Sequence, residues 1–513
     1  MIDGGRDSAD GTSVSGNSLA RQELQIRNSL VFLLPVAVGV LIPIVTLPVF
    51  TRYLATEAYG AWALATAFGA FGSGLANFGL ILGLERNFFQ YTSVRERSAL
   101  LYSTLVFILT ALAVLSIVIW VVRDQIARFV TGTNNYGDLF FWAFCAVGIA
   151  SLKSYYLIYF RNTHNAKAHV RYSLYESVLK AMLAVFFVVY LRMGAIGIVA
   201  GHIIGSLLVF AVLSVQFLIR LPFALSFSLL KGSLRISLPL MPQLLFKVVG
   251  SEFDKYAIGL LGSLGGVGVY SIGQRIARMV FNFTGALENV FAPQVYERMF
   301  VRSAGDGDKV GTYLTPFAYV SIGGALLVGL FSDEIVTVLA DSTYHGAVVL
   351  VSILTIHYGL MFFGKQPQLV FAEKTWIISI LSLLAIALNA GLVLVGITLW
   401  GTVGAAWGTM VAGAVHVFVF QAFGQRYYRI AWEYKPLVKI LGLFFITISF
   451  AVILTQLELV YWLRLPVKIV LVFLYLRLGV HLDILNAQTL SLIRNVISRP
   501  GVAVPISPGQ DGP

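Results

Sequence analysis

Two neighbouring apolar segments of the chain carry charged side chains at helical spacing. Lys247 and Asp254 lie seven residues apart in the first segment, and Arg275, Arg278 and Asn282 follow at steps of three and four in the second. Steps of three or four residues place side chains on one face of a helix. Each segment therefore predicts a helix with one polar stripe. The first stripe comprises Pro239, Gln243, Lys247, Gly250 or Ser251, and Asp254, and the second comprises Ser271, Arg275, Arg278, Asn282, Gly285 and Asn289.

These stripes predict the binding of an anion within a membrane. Inserting a Lys, Arg or Asp at the centre of a membrane helix costs roughly 2.5–3.5 kcal/mol. We therefore expect the two stripes to line one surface that water can reach. Such cations suit an anionic ligand, and diphosphate is the obvious candidate for Arg. Arg52, just past the first apolar segment, could line the same cavity or anchor its helix at the interface. The predicted substrate-binding residues are Lys247, Lys255, Arg275, Arg278, Arg52, Asn282 and Gln243.

The carboxylates of this region allow two interpretations. Asp254, Glu252 and Glu288 could neutralise the cations in structural ion pairs that hold helices together. Asp254 and Glu288 could instead form the proton or cation site of a coupled transporter, because a carboxylate in a low-dielectric cavity can titrate near neutrality. The sequence leaves coupling and ion pairing open.

Four further charges in apolar segments have simpler explanations. Glu176 and Lys180 lie four residues apart and are expected to form a pair on one helix. Lys153 and Lys365 lie toward the predicted cytoplasmic ends of their segments, where a long side chain can reach the interface. Cavity roles for these two lysines stay open.

Membrane helices must position these residues, because the composition excludes a water-soluble fold. Hydrophobic residues make up 58% of the 513 positions and charged residues 12%, against roughly a quarter charged in soluble domains. About 20 apolar residues cross a bilayer, and the chain offers fourteen such spans, which predicts an all-α polytopic membrane protein. They lie at roughly 28–50, 57–83, 98–121, 138–160, 170–191, 194–219, 233–260, 265–291, 312–332, 344–368, 375–396, 401–423, 436–456 and 460–480.

A repeated glycine pattern divides these spans into two lobes. Three glycines that open one span return with the same spacing about 207 residues later. We predict two parallel six-helix lobes at 28–220 and 231–425, two extra helices at 436–481, and tails at 1–27 and 482–513, the first of them disordered. The corresponding glycines are Gly194 and Gly401, Gly197 and Gly404, Gly201 and Gly408, and Gly60 and Gly268. Where the second repeat carries the cations, the first carries Ala63, Ala67, Ala70 and Gly74.

The basic residues predict the orientation. Lys and Arg number 36 against 24 Asp and Glu, which gives a net charge of +12. Most lie on the side that holds the N-terminus, so the positive-inside rule places both termini in the cytoplasm. The excess also attracts anionic lipid headgroups, and nucleic-acid binding is not needed to explain it. No cleavable signal peptide precedes the first span, so this helix is expected to direct insertion.

Sequence motifs for catalysis are missing. There is no nucleophile elbow, no Walker-type phosphate loop and no paired acidic motif in a loop, so we predict no enzymatic activity and no ATP hydrolysis. Cys145 is the single cysteine, and His202, His357 and His416 lack metal-ligand spacing. No cofactor is predicted, apart from possible H+ or Na+ coupling.

Several motifs along the chain match one family. Residues 47–54 (LPVFTRYL) precede 57–60 (EAYG), and residues 237–242 (SLPLMP), 254–255 (DK) and 268–272 (GVYSI) form a central block. A later block combines 373–375 (EKT) with 401–408. Over about residues 28–428, the chain resembles Wzx-type polysaccharide-unit flippases. Their superfamily includes the multidrug/oligosaccharidyl-lipid exporters and the lipid II flippase.

The resemblance implies a function. It implies two six-helix lobes around a cationic cavity, two extra C-terminal helices, and alternating access in a bacterial inner membrane. The substrate would be an undecaprenyl-diphosphate-linked oligosaccharide, moved from the inner to the outer leaflet for O-antigen, capsule or exopolysaccharide synthesis. A polysaccharide polymerase and chain-length machinery are the expected partners, beside membrane lipids.

Two other functions remain open. An ion-coupled drug or cation antiporter of the same superfamily would prefer a carboxylate-lined cavity, whereas the predicted cavity is cationic. A membrane polysaccharide polymerase would need a sizeable outer loop with catalytic residues, and the predicted outer loops are short.

Overall fold

All the elements that the structure describes are helical. The computed structural model describes residues 33–163, 165–301, 307–365, 367–456, 461–482 and 484. The predicted all-α fold is confirmed, and the predicted tails lie almost entirely outside these ranges. The helices are α1 Leu33–Tyr53, α2 Thr56–Asn77, α3 Leu80–Gln90, α4 Val94–Thr131, α5 Gly137–Asn162, α6 Ala166–Val189, α7 Gly194–Arg220, α8 Phe227–Ser237, α9 Met241–Leu261, α10 Leu264–Val301, α11 Gly307–Leu330, α12 Ser332–Leu339, α13 Ala347–Leu360, α14 Gln368–Phe371, α15 Thr375–Tyr427, α16 Tyr434–Gln456 and α17 Tyr461–His481.

Many of these helices can span a membrane. Among the described residues, eight are long and apolar enough, and the bent pair α2 and α3, which meet at 42°, would make a ninth. α15 contains two predicted spans, separated by non-helical backbone at Trp400 and Gly401. α9 and α10, which carry the charged stripes, are not in this set. The chain is a multi-pass membrane protein, and the number of fourteen spans stays a prediction.

Corresponding glycines of the two repeats have the same structural roles. Gly194 at the start of α7 and Gly401 at the break in α15 have φ of 60° and 58°, a left-handed conformation that glycine adopts readily. Further along, a Cβ on Gly201 or on Gly408 would overlap the backbone of the preceding helical arm. Each repeat therefore contains a helical hairpin with a tight turn and close backbone packing.

The two predicted lobes meet along α2. Within the first lobe α2 packs on α5, and within the second α10 packs on α13 and α11. Between the lobes, α2 packs on α10 and also on α9. These two helices carry the predicted polar stripes, so the fold brings the stripes to the lobe interface.

The C-terminal helix α17 is held to the second predicted lobe by polar contacts. Arg464 pairs with Asp333 at 2.9 Å, and Lys468, which is 1% exposed, pairs with Glu334 at 2.7 Å. On α11, the Tyr319 hydroxyl donates a hydrogen bond to a carbonyl of α17, and a tyrosine of α17 donates one in return. α17 is thus packed on the second predicted lobe.

Candidate binding cavity

A cavity of 340 Å³ lies between α1 and α2 on one side and α9 and α10 on the other. Its position at the lobe interface follows from the packing of α2 on α9 and α10. It is lined by Gly39, Pro43, Tyr59, Trp62, Ala63, Thr66, Ala67, Ala70, Glu252, Lys255, Ser271, Gln274, Arg275, Arg278, Met279 and Asn282. Of the predicted binding residues, the structure therefore brings Lys255, Arg275, Arg278 and Asn282 together.

The cations of the cavity all come from the second repeat and are half-buried. Lys255 Nζ lies 2.5 Å from a carboxylate oxygen of Glu252. The Arg275 guanidinium lies over the ring of Trp62, 5.4 Å from its centroid, and Arg278 lies beside the Tyr358 hydroxyl. Among the described lining residues, three cations face one carboxylate, which leaves a net charge of +2. A charge of this sign in a membrane interior favours an anionic ligand.

The opposite wall of the cavity carries three alanines beside two aromatic side chains. At the 208-residue offset that relates Gly60 to Gly268, Ala67 corresponds to Arg275 and Ala70 to Arg278. Both alanines line the cavity opposite the arginines. The divergence between the repeats therefore produces one charged wall and one wall whose described lining residues carry no charge.

One end of the cavity is closed where α2 and α10 begin. A Cβ on Gly60 would lie 2.9 Å from the Gly268 amide nitrogen, and a Cβ on Gly268 would lie 3.3 Å from the Gly60 nitrogen. The loop before α13 adds a second contact, in which the Tyr344 hydroxyl donates to the Leu54 carbonyl at 2.8 Å. We call this region the closed end.

A loop carboxylate near the closed end stays ionised. The Thr343 amide and hydroxyl donate to Asp341 Oδ1 at 3.1 and 3.0 Å. These hydrogen bonds, the amide first, lower the pKa of Asp341, and Arg52 adds a smaller effect of the same sign. Arg52 itself is exposed and lies outside the cavity lining.

Three polar groups near the closed end were missed as site residues by the sequence analysis. The Tyr59 hydroxyl, Trp62 Nε1 and Ser271 Oγ are buried and have no hydrogen-bond partner among the described residues. Each belongs to a residue that lines the cavity. Buried polar groups are normally paired, so these three indicate a site whose partners come from another conformation or from a ligand. Two sequence features could have identified them: the motif EAYG contains Tyr59, and the polar stripe of α10 contains Ser271.

Asp254 lies outside the cavity lining, in a separate polar cluster between α9, α10 and α15. Its carboxylate is 4% exposed. It accepts hydrogen bonds from the Tyr270 hydroxyl at 2.6 Å, the Thr409 hydroxyl at 2.9 Å and Asn389 Nδ2 at 3.0 Å. No lysine or arginine of the described residues forms an ion pair with it. Structural pairing, as considered from the sequence, is therefore absent at Asp254 in this part of the chain.

The stripe of α9 does not face the cavity as a whole. Gly250 packs on Ile386 of α15, and Asp254 faces the same helix, because residues four apart share a face. Lys247 and Gln243 are exposed and do not line the cavity. Their assignment to substrate binding stays a prediction without geometric support. Lys255 reaches the cavity because it lies one residue beyond the stripe.

The remaining carboxylates have lysine partners. Glu288 pairs with Lys365 at 2.9 Å, which favours an ion pair over a coupling site. Glu176 pairs with Lys180 at 2.7 Å, as predicted, and also with Lys153. For Lys153 the sequence left an interface role and a cavity role open, and the structure shows a third arrangement, in which its side chain pairs with Glu176 on another helix.

The described residues contain no group of three or more His, Cys, Asp and Glu side chains placed to bind a metal ion.

Comparison with known families adds one match. The model of a family described as polysaccharide biosynthesis protein matches residues 49–349, which is more than half of the chain. No curated protein matches the chain.

Solved structures share the fold. The lipid II flippase MurJ in an inward closed conformation has a TM-score of 0.66 and 12% identity, covering 88% of this chain and 98% of its own. An inward-facing multidrug resistance MATE family transporter of the MOP superfamily has a TM-score of 0.56 and 15% identity, covering 79% and 97%. The MATE transporter VcmN of Vibrio cholerae has a TM-score of 0.51 and 16% identity, covering 80% and 98%.

Proposed function

The chain belongs to the polysaccharide biosynthesis protein family, and from this premise we propose that it flips an undecaprenyl-diphosphate-linked oligosaccharide across the membrane. The repeat unit would serve O-antigen, capsule or exopolysaccharide synthesis. The membrane would be a bacterial inner membrane, with both chain termini in the cytoplasm. A polymerase and chain-length machinery would then use the product.

The observation that carries this proposal is the cationic cavity at the lobe interface. Arg275, Arg278 and Lys255 give it a net positive charge within a membrane-spanning bundle. Guanidinium groups bind phosphate oxygens through two parallel hydrogen bonds. The cations thus offset the cost of taking a diphosphate out of water, which is the main barrier to crossing hydrocarbon.

The mechanism follows from the closed end. With Gly60 and Gly268 in contact, a headgroup enters from the opposite end of the cavity. Rocking of the two lobes would separate these glycines and expose the headgroup on the other side. The alanine wall formed by Ala63, Ala67 and Ala70 offers no charge that would hold the diphosphate through this movement.

We assign a coupling role to Asp254. A buried carboxylate held by three neutral donors can take up a proton or a cation without breaking an ion pair. Its donors come from α10 and from both arms of α15, so a change of charge at Asp254 acts on the packing of three helical segments. Either H+ or Na+ fits this chemistry.

A drug or cation antiporter is the second candidate, and the MATE structures share the fold. The sign of the cavity charge favours the flippase, because an antiporter of cations would place carboxylates in the cavity. In the described lining Glu252 is the only acid, and Lys255 pairs with it.

Deleting the gene for this protein and locating the lipid-linked oligosaccharide tests the proposal. Cells without the gene are expected to accumulate a lipid-linked oligosaccharide in the inner leaflet, which a leaflet-selective glycosidase or lectin assay detects. Complementation with the double variant Arg275→Ala, Arg278→Ala should restore less than about a tenth of polymer output, as expected for the loss of two charge-assisted contacts. Arg429→Ala, at an exposed position away from the cavity, is the control. Normal output from the double variant, or precursors accumulating outside instead, would reject the proposal.

A further inference from the structure

An apolar groove of 540 Å³ opens between α2, α4 and α9. Its floor contains Ala67 and Val130, which are 5% and 6% exposed. Its rim contains Phe129 and Val249, which are 74% and 40% exposed and face the surroundings of the bundle. The other lining residues are Phe68, Phe71, Val122, Gln125, Ile126, Val248, Glu252 and Tyr256. The groove therefore lies between the lobes, with its mouth on the lipid-facing side.

The groove adjoins the cationic cavity. Ala67 and Glu252 line both. Glu252, the acid at this junction, is paired with Lys255, so the junction presents no unpaired negative charge. The cationic cavity and the apolar groove therefore adjoin at these two residues.

We propose that this groove holds the polyprenyl chain of the substrate next to its diphosphate. The inference rests on the proposed function and adds the route of the lipid tail. The occupant must be an amphiphile with an anionic head beside an apolar chain, because the two adjoining spaces have these two chemistries. At the closed end Gly60 and Gly268 block one axial path, and the apolar groove offers the chain a lateral route between α4 and α9.

Another groove provides a comparison within the same chain. It has 550 Å³, lies along α7, and includes Val212 and Ile219. It shares no residue with the cationic cavity. An ordinary phospholipid would occupy both grooves, whereas a polyprenyl diphosphate seated in the cavity occupies only the groove between α2, α4 and α9.

Photo-crosslinking tests the proposal on the full-length protein in native membranes. The photoreactive residue p-benzoylphenylalanine replaces Val249 or Phe129 at the groove rim, Val212 in the α7 groove, or Met279 in the cavity, each in a separate variant. Radiolabelled undecaprenyl diphosphate is the probe. We expect labelling at Val249 and Phe129 to exceed that at Val212 by about fivefold or more, since burial of the chain favours the adjoining groove. Excess unlabelled undecaprenyl diphosphate should suppress it, and excess phosphatidylglycerol should not.

The outcomes separate the two proposals. Labelling at Met279 without labelling at Val249 and Phe129 overturns the tail route and leaves the proposed function standing. Equal labelling at Val249 and Val212, or displacement by phosphatidylglycerol, also overturns the route, because an acyl chain then explains the groove. Labelling at none of the cavity and groove positions rejects the proposed function itself.

Closing the junction provides a second test. Ala67→Trp places a bulky ring between cavity and groove, and Ala113→Trp makes the same change on an exposed face of α4. We expect Ala67→Trp to reduce labelling at Val249 by about fivefold while Ala113→Trp leaves it unchanged. Undiminished labelling in a folded Ala67→Trp variant contradicts the proposed continuity.

Discussion

Gly60 and Gly268, which occupy corresponding positions of the two repeats, pack against each other where α2 and α10 begin. Their backbones approach so closely that a Cβ on either would collide with the opposite helix. Contacts between equivalent positions place these glycines at the pseudo-symmetry axis of the two lobes. The closed end of the cavity therefore depends on the absence of two side chains.

Adding a side chain at Gly60 should open the closed end. We expect Gly60→Leu to destabilise this conformation by about 1–3 kcal/mol, because it overpacks a backbone contact. A Ser271→Cys reporter in a Cys145→Ser background should then react faster with a membrane-impermeant maleimide. Gly391→Leu is the matched control, since a Cβ there meets nothing within 4 Å. An unchanged reaction rate in Gly60→Leu would show that this contact does not close the cavity.

Loss of the hydroxyl group should change the stability of the protein differently at two buried tyrosines. Tyr270 donates to Asp254 at 2.6 Å, whereas the Tyr59 hydroxyl has no partner among the described residues. We expect Tyr270→Phe to lower the free energy of unfolding by about 1.5–3 kcal/mol, the contribution of a hydrogen bond to a charged group. Tyr59→Phe should be neutral or stabilising. Thermal unfolding of both purified variants measures the difference, and equal losses would contradict it.

Removing the charge of Asp254 should separate binding from coupling. In Asp254→Asn the Tyr270 and Thr409 hydroxyls retain an acceptor, so the variant is expected to fold. Flipping in proteoliposomes should then lose its response to an imposed H+ or Na+ gradient, while undecaprenyl diphosphate still binds. Glu288→Gln, which alters the ion pair with Lys365, should keep the gradient response. A gradient response in Asp254→Asn equal to that of the unchanged protein would remove Asp254 from the coupling site.

The buried cluster around Glu176 should be structural. Glu176 is 4% exposed and pairs with two lysines. Glu176→Gln leaves both ammonium groups without a counter-charge, so we expect a loss of about 3–5 kcal/mol of stability. Glu85→Gln breaks the exposed pair with Arg161 and should cost about 1 kcal/mol or less.

A double variant checks this assignment. Adding Lys153→Met to Glu176→Gln removes one of the uncompensated ammonium groups and should recover part of the lost stability. Thermal unfolding of the purified variants provides the measurement. If the double variant is less stable than Glu176→Gln alone, Lys153 contributes something other than charge balance.

Helical spacing predicted which residues share a face but not which neighbour that face meets. The stripe on α10 delivers Arg275 and Arg278 to the cavity, as expected. On α9 the same rule placed Lys247 and Asp254 on one face, which was expected to line the cavity. In the structure Asp254 faces α15 and not the cavity. Spacing is a property of one helix, whereas the facing element depends on how the helix is rotated in the bundle. The partner of Lys153 was missed for the same reason, since Glu176 lies on another helix.

The amino-acid sequence alone determined the membrane-embedded all-α class, the repeat, and the cationic divergence of the second copy, because hydropathy, glycine spacing and charge are read directly along the chain. Only the tertiary structure decided that Ala67 and Arg275 line one cavity, that Gly60 meets Gly268, and that Asp254 lies in a cluster of its own. These arrangements join residues distant in sequence, and they depend on the packing of whole helices. The cavity exists because two diverged repeats pack face to face, and the sequence of a single helix does not specify how whole helices pack.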